Sequence, residues 1–330
     1  MTRFNSRRAA HGLGLALGVV LVAVGLVLPE PEPAFVPQFG WVRDPAAVEA
    51  VRSSLAAPQF TSTAAYRAES AGPEDVFLWD ACRSATGALL PPRNQGPIGA
   101  CVGFGTAAAL EHLACVQVAD GESEEFRTLA PEIIYAGSRF EIGGDQIRGD
   151  GSVGAWAARF VRDYGVLPRD RYPGLNLTTY DSKLCRKLGR SGVPDSLEAI
   201  VKEHPVRTIA NVTSFNECRA AIRHGYPLIV CSDQGFTMTR DDEGFCQPQG
   251  QWMHCMAIVG VRGGERPGAF LLNSWGGSAH TGPRGLGDPS PAGFWADADV
   301  VDRMLQQGDS WVFSQFVGFP ARSPQLMVRR

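Results

Sequence analysis

From Cys101 to Val116 the chain is apolar on nearly every side of a helical wheel. A helix of that kind cannot rest one face on a core and leave the other to solvent; it has to be enclosed on all sides. The remainder of the chain must therefore supply packing for every face. Gly103 and Gly105 lie inside the run. Each costs about 1 kcal/mol relative to Ala in a helix interior, so close approach by neighbouring elements is the expected reason for them. With 330 residues, 44% of them hydrophobic and 20% charged, the chain can bury a core around such a helix without staples.

Further helices are expected over Pro131–Phe140, with Pro131 allowed in the first turn, and over Ala155–Tyr164, stopped by Gly165. After about Ser196 the pattern changes. Pro227–Cys231, Met256–Val261, Ala269–Leu272 and Trp311–Phe316 read as strands. Helices first and strands later predict an α+β fold, arranged as two lobes.

The N-terminus has a different character. Arg3, Arg7 and Arg8 precede an uncharged run from Gly12 to Leu28. Seventeen residues in a helix reach roughly 25 Å, the lower limit for crossing a bilayer. Residues 1–28 read equally as a cleavable signal peptide or an uncleaved membrane anchor. Both imply export, so the rest of the chain is expected to be secreted, periplasmic or anchored outside the cytoplasm. Residues 29–74, rich in Pro, Ala and Ser, read as a linker or short pro-segment; Ala46–Ala57 has length for about three helical turns, too few to be stable alone. The folded domain is expected over 75–320, with a tail at 321–330. The net charge of −3 gives no basic footprint, so no nucleic-acid partner is expected. Eight cysteines in an exported chain would ordinarily form disulfides.

One cysteine has a special position. Cys101 follows the glycine turn Asn94-Gln95-Gly96-Pro97-Ile98-Gly99 and opens the apolar helix. The partial positive charge of a helix N-terminus favours a thiolate. Gln95 lies across the turn, where a side-chain amide can join the Cys101 N–H as an oxyanion donor. His254 precedes the strand Met256–Val261, and Asn273 ends the strand Ala269–Leu272. A Cys–His pair needs a third polar group to set the imidazole tautomer, and Asn does so without removing charge from the imidazolium. Taken singly, each has a plainer reading: a buried small hydrophobe, a turn residue, a structural histidine, a turn former. If Cys101 is a reactive thiol, seven cysteines remain, and an odd number cannot all pair within the chain.

The set as a whole is more specific. The segment Asn94-Gln95-Gly96-Pro-Ile-Gly99-Ala-Cys101-Val-Gly-Phe104 resembles the nucleophile motif of the papain-like cysteine peptidases. Met253-His254-Cys255-Met-Ala-Ile-Val-Gly260 resembles the family's histidine strand, and Asn273-Ser-Trp-Gly276 matches its asparagine motif. The order agrees, with His254 153 residues after Cys101 and Asn273 19 residues further on. The resemblance spans roughly residues 75–320. It implies a helical left lobe and a β-rich, barrel-like right lobe with the active-site cleft between them. It implies a peptidase with Cys101 as nucleophile, His254 as base, Asn273 as orienter and Gln95 in the oxyanion hole. Trp275 would shield the His–Asn pair, and Gly151, Ser152 and Met253 would meet an extended peptide or protein substrate. No cofactor or metal is implied, and a monomer is expected.

Departures are visible too. The half-cystine three residues before the nucleophile is Ile98, its partner is Gly149, the Trp after the nucleophile is Val102, and the second cleft glycine is Ser152. A Gly/Pro-rich stretch from Gly277 to Ala292 replaces a short loop. A cell-wall amidase or transpeptidase, and a catalytically silent peptide binder, are the alternative readings on this fold. Papain-like enzymes are often held off by a long helical pro-region whose extended tail fills the cleft backwards. Residues 29–74 lack a long amphipathic, charge-laced helix. They are therefore expected to act mainly as a spacer on which the domain does not depend.

Overall fold

A computed structural model of the protein describes residues 36–68, 74–122, 125–204 and 206–322. The apolar run 12–28, with the signal-or-anchor reading, and residues 323–330 of the tail lie outside the described residues. In chain order the elements begin with helix α1 (Pro45–Ser53), helix α2 (Ala64–Arg67) and strand β1 (Val76–Phe77), which runs into α3 (Leu78–Thr86). Then come α4 (Cys101–Ala119), α5 (Pro131–Gly137), α6 (Gly154–Asp163), a small hairpin of β2 (Arg171–Tyr172) and β3 (Leu175–Asn176), α7 (Ser182–Ser191) and α8 (Asp195–Val201). The second half holds β4 (Thr208–Asn211), α9 (Phe215–Arg223), β5 (Leu228–Phe236), β6 (Pro248–Arg262), β7 (Gly268–Leu272), β8 (Gly293–Asp297), α10 (Ala298–Leu305) and β9 (Ser310–Ser314). A helical lobe precedes a sheet lobe, as the sequence implies.

α4 is enclosed on all sides. α3 and α5 pack against it within the helical lobe, and β6 packs against it from the sheet. Both interior glycines answer to that packing. A Cβ on Gly103 would lie 2.8 Å from the Pro131 carbonyl and 2.9 Å from Tyr135 Cβ. On Gly105 it would meet Cys255 Sγ at 3.3 Å. The helix's polar residues are satisfied in place. Glu111 pairs with Arg93 and accepts the Leu129 N–H at 2.7 Å, while His112 Nδ1 bonds the Ala108 carbonyl at 2.8 Å.

The sheet has seven strands in the order β4-β9-β5-β6-β7-β8, with β1 added alongside β6, all antiparallel. β6 runs eight residues further towards its N-terminus than the expected Met256 start, so His254 lies inside a strand and pairs with Ser232 of β5. The early part of β6 is polar and exposed, which hides its strand character in the sequence. β8, at the end of the Gly/Pro-rich stretch, pairs with β7 and completes the edge.

The stretch read as linker is folded wherever it is described. Val36 onward belongs to one compact unit, so the domain does not begin at 75. Trp41, Val48, Val51, Phe60 and Ala65 are buried in the main core. α1 forms where three turns were expected, with Asp44 capping the Ala47 N–H at 2.9 Å and Pro45 in the first turn; packing on α6 supplies what its length cannot. At the other end Arg322 joins the domain through Asp120 and Glu122. All eight cysteines are buried free thiols, so the expected disulfide framework is not formed.

The packing of α4 gives a test. Gly103→Ala gains about 1 kcal/mol of helix propensity, yet its Cβ meets backbone that cannot rotate away. It is expected to lower unfolding stability in urea by about 1–3 kcal/mol. A variant at least as stable as the wild type would show that α5 approaches less closely than described.

Candidate active site

Cys101 is the first residue of α4, fully buried, with the helix N-terminus directed at it. The turn before it is held from several sides. Asn94 Oδ1 accepts the Gly96 N–H at 2.9 Å, and Gly96 adopts φ +63°, a left-handed value suited to glycine. The Gln95 N–H donates to the Ser274 carbonyl at 2.8 Å, and Tyr180 donates its hydroxyl to the Gln95 carbonyl at 2.7 Å. The Gln95 side chain is fully buried. Its Oε1 accepts the Ser274 hydroxyl at 2.6 Å, and its Nε2 donates to Ile98 O at 2.7 Å and Gln38 O at 3.3 Å.

His254 comes from within β6, and Asn273 follows the end of the neighbouring strand β7 in the sheet lobe. His254 Nε2 lies 2.9 Å from Asn273 Oδ1, which also accepts the Ser274 N–H at 2.7 Å. An oxygen there can only accept, so Nε2 carries the proton. The other nitrogen, Nδ1, is buried without a hydrogen-bond partner. Trp275 lies over the pair, its ring centroid 4.5 Å from that of His254. Asn273 Nδ2 donates to His280 Nε2 at 3.1 Å.

Both members of the proposed dyad are pushed towards their neutral forms. Burial drives the Cys101 thiol well above its usual range, with Cys255 adding to the effect; nearby amides of Cys255, Val102 and Gly40 oppose it. Burial lowers His254 to about 4, against the favourable Asn273 contact. The site as described thus holds a thiol and a neutral imidazole.

The reason for the burial is residues 38–42, which cross the site. The Gln38 carbonyl accepts from Gln95 Nε2 and, at 3.1 Å, from Trp275 Nε1. The Phe39 ring lies edge-on to His254 and Trp275. The N–H groups of Gly40 and Trp41 donate to the Met253 carbonyl at 3.0 and 2.9 Å. Ser152 donates to Gly40 O at 2.8 Å and accepts from the Val42 N–H at 2.9 Å. Trp41 and Ser152 form a parallel bridge. The Trp41 indole is buried and donates to Asp309 Oδ2 at 2.8 Å. At Gly40 there is no room for a side chain, because a Cβ would lie 2.1 Å from the Gly99 carbonyl. The expectation of a spacer is therefore corrected. Backbone pairing in a cleft needs no amphipathic helix, so the absence of one from residues 29–74 does not bear on it.

Of the residues singled out from the sequence, Cys101 makes no hydrogen bond to His254, whose Nδ1 has no partner; the others are brought together with adjustments. Gln95, His254, Asn273 and Trp275 form one hydrogen-bonded and ring-packed group. Met253 and Ser152 pair with the crossing segment. Gly151 does not pair through its own backbone: its N–H donates to the Tyr135 hydroxyl at 3.1 Å, and its carbonyl accepts from Arg139. It lies against the segment instead, where a Cβ would sit 3.0 Å from Gly40 O. Missed from the sequence were Ser274, which orients Gln95, and His280, Trp41 and Asp309. A serine beside a motif asparagine and a tryptophan in a Pro-rich stretch were the available signals.

No family model matches this sequence, and no curated protein matches it. Solved structures do. The fold is similar to that of xylellain, a cysteine protease from Xylella fastidiosa, at 16% identity and a TM-score of 0.52, covering 86% of this chain and 94% of that one. It is also similar to the proform of the ragweed pollen allergen and cysteine protease Amb a 11, at 15% identity and a TM-score of 0.51, covering 81% of this chain and 74% of that one. The fold is papain-like, an α+β arrangement of two lobes.

Buried neutral histidines make stability pH-dependent. His112 and His254 are lowered to about 4 and His280 to about 3, in each case chiefly by burial. The unfolded chain binds these protons near pH 6.5 and the folded chain only near 3–4. Stability is therefore full above about pH 6.5 and is lost as pH falls towards 4. Denaturant midpoints at pH 7 and 4.5 should show the drop, with a smaller drop for His112→Gln. An unchanged slope in that variant would contradict its buried neutral state.

Proposed function

We propose that this chain is a cysteine-type endopeptidase, held latent by its own residues 38–42. The observation that carries the reading is the His254–Asn273 pair, with one ring nitrogen committed and the other free, on the strand packed against the helix that begins at Cys101. In the active form His254 Nδ1 takes the Cys101 proton. The helix N-terminus and the Val102 and Cys255 amides favour the resulting thiolate. The thiolate forms a C–S bond to a substrate carbonyl carbon, and the carbonyl electron pair moves to oxygen. The Gln95 N–H that now meets Gln38 O, with the Cys101 N–H, holds that oxyanion. Collapse breaks the C–N bond, and the imidazolium of His254 gives its proton to the leaving amine. A water molecule, deprotonated by His254, then hydrolyses the thioester. Asn273 holds the ring in register throughout.

Latency follows from occupancy of the same donors and acceptors that a substrate needs. The intact protein is expected to be inert. Gly40→Ala, whose Cβ has no room beside Gly99, should displace the segment and give peptide hydrolysis, together with iodoacetamide labelling of Cys101 ahead of the other seven cysteines. Adding Cys101→Ala should abolish turnover. Adding Gln95→Ala should lower kcat roughly 10²-fold with KM less affected. A folded Gly40→Ala protein that neither cleaves peptides nor is alkylated at Cys101 would sink the reading.

The natural partner is then a peptide or protein, and the protein acts as a monomer outside the cytoplasm, carried there by the run 12–28 as a leader or anchor. A reporter that works only in the cytoplasm, fused after residue 330, should be silent. An active fusion would refute export.

A further inference from the structure

We infer that His280 is a positioning residue: as a neutral imidazole it fixes the side-chain amide of Asn273 and, through it, the tautomer of His254. The inference rests on the peptidase reading and adds a residue to it. Asn273 and His280 are 3% and 4% exposed, so neither can turn to water for a partner. A primary amide has an accepting end and a donating end. Its mode of action here depends on which end faces His254. If Nδ2 faced the ring, His254 would have to accept at Nε2 and carry its proton on Nδ1. That nitrogen is the one needed to take the Cys101 proton, so the base would be lost.

Two contacts prevent the rotation. The Ser274 N–H donates to Oδ1 at 2.7 Å, and His280 Nε2 accepts from Nδ2 at 3.1 Å. The second contact requires a lone pair on Nε2. His280 must then be neutral, with its proton on Nδ1, the nitrogen 3.9 Å from Cys246 Sγ. The surroundings enforce that state. The ring is enclosed by Phe294, with centroids 4.7 Å apart, and stacks on Trp275. The charged or titratable groups acting on it are Arg240, His254 and Cys246. Burial, the Arg240 charge and His254 together lower His280 to about 3. Arg240 also pins the loop that carries His280. Its guanidinium donates to Gly293 O at 2.9 Å, Gly282 O at 3.1 Å, His280 O at 3.3 Å and Pro291 O. Arg240 thus fixes the place of the acceptor and adds to the burial that keeps it neutral.

The test compares His280→Leu, close in size but without an acceptor, with His280→Gln, whose side-chain oxygen can reach the same position. The first readout needs no activity. Ring ¹⁵N NMR of the full chain should show His280 protonated at Nδ1 and His254 at Nε2. In His280→Leu the His254 signals should shift towards a mixture of tautomers, and in His280→Gln they should stay near wild type. The second readout is kinetic, in the Gly40→Ala background. His280→Leu should lower kcat about tenfold to a hundredfold with KM little changed, as loss of a supporting hydrogen bond does. His280→Gln should recover most of the loss. With Asn273→Ala already present, His280→Leu should cost nothing further, since no amide remains to be held. A wild-type His280 protonated at Nε2, or an equal loss with Leu and Gln, would overturn the inference. So would an unchanged cost in the Asn273→Ala background. Absence of peptide cleavage with the expected NMR pattern would instead count against the peptidase reading and leave the positioning role supported.

Discussion

Everything in this structure is arranged around the burial of one helix. α4 has no solvent face to offer, so two lobes of different architecture must close on it, and its N-terminus is left at the line where they meet. That line is the natural place for a cleft. The helical lobe contributes Cys101 and Gln95 from the turn that starts α4. The sheet lobe contributes His254 and Asn273 from β6 and the end of β7. The lobes are coupled at the site by a short polar bridge, in which the Ser274 backbone and hydroxyl both engage Gln95. Loss of close packing at Gly103 or Gly105 would therefore move one half of the site relative to the other.

The crossing segment shows how little side-chain information an occupant of such a cleft needs. Four backbone hydrogen bonds to Met253 and Ser152 hold Gly40, Trp41 and Val42 in place. Beyond the Phe39 ring set against His254 and Trp275, two positions carry specific demands. Gly40 must have none, and Trp41 must reach the buried Asp309 carboxylate, which Trp311 and Gly154 also contact. Burial raises that carboxyl, and the N–H donors around it oppose the shift.

The all-round apolar run of α4, the two helices after it and the main strands were legible because each carries a period that burial imposes. The grouping of Gln95, His254, Asn273 and Trp275 could be expected from the set: their spacing along the chain carries more information than any one of them, and their side chains lie together. What stayed hidden has a physical reason in each case. The first half of β6 is exposed and polar, so it lacks the apolar signature of a strand. Trp41, Val48 and Phe60 are core residues scattered through a Pro- and Ala-rich stretch that has no sustained period. His280 reaches Asn273 only because the loop after Trp275 folds back on it, held by Arg240 from 40 residues away.

Trp41, Phe60 and Ala65 belong to the same core as the domain they precede. The segment that fills the cleft is consequently not a detachable lid on a long leash. It is a tethered occupant, joined within a few residues to α1, which is packed on α6. For an occupant on a short tether the effective local concentration is on the order of millimolar and does not change on dilution. On the peptidase reading, a peptide entering the cleft would have to outcompete that fixed concentration. On the peptidase reading, release of the segment would be a first-order event within each molecule, insensitive to how much protein surrounds it.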